Sequence, residues 1–201
     1  EFLVERREPT ADYARAFFKL GQSVRDPEIA CRALVRAANS RQIRGAASEQ
    51  IDRYRRSAVS LLIERFSDRP EVAGAADSIL HFALPAAKTA HDDAEDLVDR
   101  IVKTNGDHVV QARMYCALLE RYRRMAQRAN RDLYRGETKR SIELAARLRD
   151  AFGDVDGPFG QMTMREYAER ELYELTHLQV GQAAPETIGS DLAGKPMSLS
   201  E

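Results

Sequence analysis

The chain has 201 residues, of which 43% are hydrophobic, and its 31 basic side chains nearly balance 32 acidic ones. A chain of this length buries a sizeable core without disulfides or metals. The near-zero net charge excludes an overall field that would recruit nucleic acid or an anionic membrane, and no run reaches the ~18 apolar residues that a membrane span needs.

Apolar residues recur at helical spacing along most of the chain, and residues typical of helix ends separate the segments. This pattern predicts eight helices. Their approximate ranges are 11–20, 27–38, 48–66, 70–83, 92 up to Gly106, 107–129, 137–152 and 163–178. The loops between them are short, so the expected fold class is all-α.

Several residues mark where these helices begin and end. Asp26 is a predicted N-cap, with Pro27 at the first helical position, and the first helix is expected to end near Gly21. Thr163 followed by Glu166 predicts a capping box, and Asp92 followed by Glu95 resembles one. The helix boundaries are therefore expected to follow from local sequence.

Eight helices over about 170 residues correspond to four helical hairpins of roughly 40 residues, close to tetratricopeptide or HEAT periods. Small residues on the contact faces fit such stacking. They are Ala30, Ala33, Ala37, Ala75, Ala76, Ala112, Ala117, Ala145 and Ala146. Because no strict repeat consensus is present and Trp is absent, we predict an irregular tetratricopeptide-like α-solenoid of antiparallel helices, with a compact helical bundle as the alternative.

The chemistry-bearing residues do not form a recognisable catalytic or metal-binding pattern. Cys31 and Cys116 stand alone on separate predicted helices and are interpreted as buried packing residues. The four histidines lie on different segments without metal-ligand spacing, and the acidic residues around His91 suit a helix N-terminus. We therefore predict no catalytic, cofactor-binding or metal-binding residue and no cofactor.

Five arginines near the end of the sixth predicted helix follow a 3-4-3-4 spacing that would place them on one ridge. They are Arg121, Arg124, Arg128, Arg131 and Arg135. The favoured interpretation is a solvated, salt-bridged face, because acidic residues interrupt the ridge and no aromatic ladder accompanies it. The alternative is a nucleic-acid-binding helical array that uses this Arg ridge.

The last 22 residues differ from everything before them. The segment VGQAAPETIGSDLAGKPMSLSE carries Gly, Pro, Thr and Ser around short apolar steps, which predicts a β-hairpin. It contains a G-x-x-A-P element at Gly181, Ala184 and Pro185. A D-L-x-G-K-P-x-S-L-S element follows, made of Asp191, Leu192, Gly194, Lys195, Pro196, Ser198, Leu199 and Ser200.

These two elements resemble the opening hairpin of thioredoxin-like redoxins of the alkyl hydroperoxide reductase and TlpA-like group. The preceding helices resemble the helical-repeat region placed ahead of a redoxin domain in some multidomain bacterial proteins. In that group a helix ending in Glu-Leu leads into the hairpin, as Glu174 and Leu175 do here. One departure is Thr187 and Ile188, where a Phe is common.

The resemblance implies a helical-repeat domain over 1–178 and a truncated thioredoxin-like domain over 179–201. It implies that thiol-disulfide exchange or peroxide reduction is carried by cysteines beyond Glu201, so this part is expected not to be an enzyme. The expected function is a non-catalytic scaffold or protein-interaction domain whose partner is a protein, a peptide or the redoxin domain of the same chain. We expect no nucleic acid and no membrane insertion, and an extracytoplasmic parent, with a cytoplasmic location and the oligomeric state left open.

Overall fold

The computed structural model describes residues 11–40, 48–84, 91–126, 131–158 and 160–178 and, in the tail, 183, 185–186, 188–190 and 193–198. The chain divides into two compact units, residues 1–125 and 126–201. The first contains α1 Ala11–Ser23, α2 Pro27–Ala38, α3 Ser48–Arg65, a 3₁₀ helix Pro70–Ala75, α4 Ala76–Phe82 and α5 His91–Thr104, together with α6 His108–Ala126, whose last residue marks the boundary. The second contains α7 Arg131–Phe152, α8 Met164–His177, β1 Ile188–Ser190 and β2 Pro196–Ser198.

The all-α prediction is confirmed, since helices dominate the described residues and the two short strands form a single hairpin. Eight of the nine alanines expected on contact faces are buried, with Ala146 intermediate. The tetratricopeptide-like solenoid and the domain boundary near residue 178 remain predictions.

The first three helices pack on one another through small and aliphatic side chains. At the start of α2 the Asp26 carboxylate accepts hydrogen bonds from the backbone N–H of Glu28 and Ile29, and Pro27 occupies the first turn as predicted. The buried face of α2 includes Cys31 and Leu34, both 0% exposed. Local capping therefore sets where α2 begins, and its apolar face joins the core.

Gly21 does not end the first helix, which continues to Ser23. A Cβ added at Gly21 would lie 2.6 Å from Leu34 Cγ and 3.1 Å from the Ala30 carbonyl oxygen. The helix thus ends two residues after Gly21, near the predicted end, and this glycine serves the close approach of α1 to α2.

The segment predicted as one helix over 70–83 consists of the 3₁₀ helix followed by α4. The Asn39 side chain donates a hydrogen bond to the Gly74 carbonyl at 2.6 Å, and the Ser78 hydroxyl lies 2.7 Å from Asn39 Oδ1. These polar contacts tie the junction to the end of α2. A tight 3₁₀ turn is thus held in place by partners that are distant in sequence.

The junction between α5 and α6 is built on Asn105, which is 1% exposed. Its side-chain amide donates to the carbonyls of Ser67 and Arg69 at 2.9 and 3.0 Å, and its Oδ1 accepts from the Asp107 N–H at 2.9 Å. Asp107 in turn caps α6 by accepting from the Val109 and Val110 N–H groups. One buried amide therefore fixes two connections at once.

Of the predicted capping pair at the start of α5, the Asp92 side chain lies outside the described residues, and Glu95 is described. The helix begins at His91, so Asp92 lies within its first turn. The Glu95 carboxylate accepts a hydrogen bond from the Tyr122 hydroxyl on α6. The Glu95 carboxylate therefore makes a tertiary contact with α6.

In the second unit α7 packs against α8. The capping box at the start of α8 is confirmed: the Thr163 hydroxyl accepts from the Glu166 N–H, and the Glu166 carboxylate accepts from the Thr163 N–H. The helix α7 begins at Arg131, six residues before its predicted start, and passes through Gly136. A single helical glycine costs only about 1 kcal/mol relative to Ala, which the rest of the helix offsets.

The predicted hairpin is confirmed in the tail. The strands β1 and β2 pair antiparallel, with Gly189 opposite Met197, and Gly194 lies in the connection with φ +80°. Such a φ favours glycine. Five motif residues are described, and the others lie outside the described residues, namely Gly181, Ala184, Asp191, Leu192, Leu199 and Ser200.

Candidate functional site

A surface groove of about 620 Å³ lies in the first unit, where α3 and α5 meet the residues that follow α4. From α3 it is lined by Ser60, Ile63 and Glu64. These residues are spaced i, i+3 and i+4, so they share one helix face. Ala83 and Leu84 close one side directly after α4.

The opposite wall of the groove is one face of α5. Asp93, Asp96, Leu97 and Arg100 line it. Because these residues are spaced i, i+3, i+4 and i+7, they lie on one face of the helix. Leu97 is only 5% exposed, whereas the three charged residues are exposed. The groove therefore has an apolar floor and a charged rim, and we call it the acidic groove.

The rim of the acidic groove carries three carboxylates, from Glu64, Asp93 and Asp96, and one guanidinium, from Arg100. None of these four side chains makes an ion pair or side-chain hydrogen bond within the part of the chain that the structure describes. Some carboxylates elsewhere in this unit do have partners, such as Asp52 with Arg55 at 3.3 Å and Glu28 with Arg32 at 3.1 Å. The groove thus presents uncompensated negative charge above an apolar floor.

The five arginines of the predicted ridge do not lie on one helix. Arg121 and Arg124 belong to α6, which ends at Ala126, whereas Arg131 and Arg135 belong to α7. Arg128 lies outside the described residues, and nothing is described of the side chains of Arg131 and Arg135. The expected continuous ridge on the sixth helix is therefore corrected to two groups on successive helices.

The two arginines on α6 are engaged by α4. Arg121 Nη1 donates to the Leu80 carbonyl at 3.2 Å, and Arg124 Nη2 lies 3.9 Å from Asp77 Oδ1. A cation near the last carbonyls of a helix satisfies their acceptors and suits the helix dipole. Arg121 therefore has a structural role at the carboxyl end of α4, whereas Arg124 lies beside Asp77 in the first turn of that helix.

Besides Arg121, the Arg55 guanidinium from α3 also lies near the carboxyl end of α4. Arg55 Nε donates to the Ala38 carbonyl at 3.1 Å, and its Cζ lies 4.3 Å from the Phe82 ring centroid. Partial burial of the ring, followed by the nearby Arg55 and Arg124 charges, lowers the pKa of His81 below its ordinary value. The neutral form is therefore more strongly favoured for His81 than for an ordinary histidine, with Arg55 and Arg124 as nearby cations.

Both cysteines are buried thiols that do not form a disulfide with each other. Burial, followed by the charge of Glu71, raises the pKa of Cys31 to about 12. A thiol with that pKa holds almost no thiolate at neutral pH and is a poor nucleophile. The predicted burial of Cys31 and Cys116 is confirmed at 0% and 4% exposure.

The histidines are dispersed. His81, His108 and His177 are exposed on three different helices, and nothing is described of the side chain of His91. Among the described residues, no group of three or more His, Cys, Asp or Glu side chains is arranged to hold a metal ion.

Sequence reasoning did not assign a role to the acidic groove. The sequence indicated a helix N-terminal role for Asp93, and it predicted no role for Glu64 or Asp96. The spacing of Asp93, Asp96 and Arg100 indicates a shared face of α5, but the approach of Glu64 on α3 depends on packing between helices that are distant in sequence.

No family model matches the chain, and neither a curated protein nor a solved structure matches it. Among the described residues, no helix combines the length and apolar character needed to cross a bilayer. The resemblance to redoxins stays a prediction from the residues quoted from the tail and from the helix before it.

Proposed function

We propose that this chain is a non-catalytic helical scaffold or protein-interaction domain that precedes a thioredoxin-like redoxin domain. In the complete protein, the redoxin domain would carry thiol-disulfide exchange or peroxide reduction. The helical part would position that domain or bind a partner. By the same resemblance, we place the protein outside the cytoplasm.

The single observation that carries this proposal is the hairpin in the tail. Its strands form where the motif resembling a redoxin predicts them, with Pro196 opening β2 and Gly194 in the connection. The side chain of Ile188 is 79% exposed and that of Met197 is 51% exposed. A two-stranded hairpin is marginal in water unless it joins a larger sheet or lies on a helix. These exposed apolar side chains suit the first hairpin of a sheet.

The helical part contributes features that fit a scaffold. Its thiols are buried, and burial keeps Cys31 protonated at neutral pH. Its polar side chains at helix junctions, such as the buried Asn105 and the exposed Asn39, hold those junctions together through hydrogen bonds. These contacts supply shape and rigidity, which are the properties that a positioning or binding domain needs.

An insulin-reduction assay on the 201-residue chain tests the non-catalytic part of the proposal. The matched control is Cys31→Ala/Cys116→Ala, which lacks both thiols. We expect no turnover of either protein above the background of the reductant. Turnover of the wild-type chain above the control would overturn the assignment.

The proposed connection to a redoxin domain has an independent test in the gene. We expect the reading frame past Glu201 to encode a Cys-x-x-Cys pair within the next few dozen residues. A frame without such a pair would remove the redoxin assignment and leave only a helical interaction domain.

A further inference from the structure

We infer that the acidic groove binds a basic amphipathic helix from a partner protein, with Lys or Arg on the helix face that meets the rim and Leu-type side chains on the face that meets the floor. This inference deepens the proposed interaction role by naming the chemistry of the partner.

The shape of the groove suits an elongated occupant. Ser60, Ile63 and Glu64 form one wall along α3, and the face of α5 from Asp93 to Arg100 forms the other. Two helices that present facing walls with apolar residues between them offer a docking surface for a third helix. Leu97 and Ile63 supply the apolar contacts, and the exposed rim remains accessible.

The negative charge of the groove favours a positively charged occupant. Three carboxylates and one guanidinium give the rim a net charge of −2, counted from Glu64, Asp93, Asp96 and Arg100. Like charges on facing helices repel one another, and a cationic side chain placed between them would relieve that repulsion. An acidic partner would increase the repulsion. Charge complementarity therefore points to a basic helix.

A small molecule fits the groove less well than a helix does. Ligand pockets enclose most of their ligand's surface. Six of the nine residues that line this groove are exposed, so it is open to solvent along its length. An open groove with an apolar floor and a charged rim is typical of helix recognition, in which residues at positions i, i+3, i+4 and i+7 of the bound helix serve as anchors.

The test uses a fluorescein-labelled peptide of about 18 residues, five helical turns, with Lys on one face and Leu on the other. Binding to the 201-residue chain is followed by fluorescence anisotropy at low and high salt. A companion peptide carries Glu at every Lys position. We expect the Lys peptide to bind, its affinity to fall with salt, and the Glu peptide to bind at least about tenfold more weakly.

Two variants locate the binding site. Asp93→Asn/Asp96→Asn removes two rim charges, and we expect the Lys peptide to bind about five- to tenfold more weakly to it. The matched control, Glu49→Gln/Asp99→Asn, removes two exposed carboxylates on the same helices, α3 and α5, that do not line the groove. It should bind the peptide as the wild type does.

Several results would overturn the inference. These are no binding of the Lys peptide, equal binding of the Glu peptide, or equal effects of the rim and control variants. Self-association of the wild-type chain in analytical ultracentrifugation that the rim variant abolishes would assign the groove to a second copy instead. None of these results affects the insulin assay or the downstream Cys-x-x-Cys pair, so failure here is distinguishable from failure of the proposed function.

Discussion

The hydroxyl of Tyr122 lies 2.5 Å from Glu95 Oε1 and connects α6 to α5. Tyr122 is fully buried, and Glu95 is half-buried beside it. A hydrogen bond to a charged acceptor contributes about 1.5–3 kcal/mol, more than one between neutral groups. Since α5 also forms a wall of the acidic groove, this contact helps to hold that wall in place.

Removing this hydroxyl should destabilise the first unit. We expect Tyr122→Phe to lower the free energy of unfolding by about 2 kcal/mol, because the half-buried Glu95 carboxylate loses the hydrogen bond from this hydroxyl. Urea denaturation followed by circular dichroism measures the change. The control is Tyr54→Phe, whose ring packs against Phe18 without a described hydroxyl partner and which should change stability by less than about 0.5 kcal/mol. Equal losses in both variants would contradict the role of the Tyr122 hydroxyl.

The close contact between α1 and α2 depends on Gly21, which has no Cβ. Gly21→Ala would place a Cβ 2.6 Å from Leu34 Cγ, so we expect a loss of about 1–3 kcal/mol from overpacking. Gly106→Ala is the control, because no atom lies within 4 Å of its added Cβ and its φ is not positive. For Gly106→Ala we expect the free energy of unfolding to rise by about 0.4–1 kcal/mol, because the unfolded chain has lower entropy. Thermal unfolding distinguishes them, and a neutral Gly21→Ala would refute the close approach.

The buried amide of Asn105 should be among the most sensitive positions in the first unit. Asn105→Ala leaves the Ser67 and Arg69 carbonyls and the Asp107 N–H without this partner, so we expect a loss of about 3 kcal/mol. The exposed Lys103→Ala, two residues earlier, should cost less than about 0.5 kcal/mol. Urea midpoints measured side by side test this. A loss at Asn105 no larger than that at Lys103 would show that the junction does not depend on the amide.

The buried thiol of Cys31 predicts a loss of stability at alkaline pH. Its pKa is raised in the folded chain from an ordinary value of 9.0 to about 12, so above pH 9 the unfolded chain loses a proton that the folded chain keeps. This contribution to stability is complete below pH 9 and is lost as the pH rises towards 12.

Comparison with Cys31→Ala isolates that effect from the ionisation of other groups. Between pH 8 and 10 we expect the wild type to lose about 1 kcal/mol more stability than the variant, since each pKa unit corresponds to about 1.4 kcal/mol. Guanidinium unfolding at closely spaced pH values provides the measurement. Parallel stability curves for the two proteins would show that Cys31 ionises equally easily when folded.

Local sequence was sufficient to predict most of the secondary structure. The caps at Asp26 and Thr163 were predicted because a cap and the N–H groups that it satisfies lie within three residues of one another. The hairpin around Gly194 was predicted for the same reason, since turn chemistry is local.

Local sequence did not reveal the roles that depend on a distant partner. Gly21 is of a residue type that often ends helices, but its role is to let Leu34 of the next helix approach closely. Glu95 has the spacing of a cap but accepts a hydrogen bond from Tyr122, 27 residues away. Periodicity and capping rules carry no information about such pairs, because they describe one helix at a time.

The sequence by itself determined the fold class, most helix boundaries and the hairpin, since these follow from side-chain periodicity and from hydrogen bonds made within a few residues. Only the tertiary structure decided which carboxylates are paired and which remain open to solvent. Glu64 and Asp96 are 32 positions apart, and the tertiary packing of the first unit brings them to the rim of one groove. That packing depends on apolar burial summed over many residues, which no local pattern encodes.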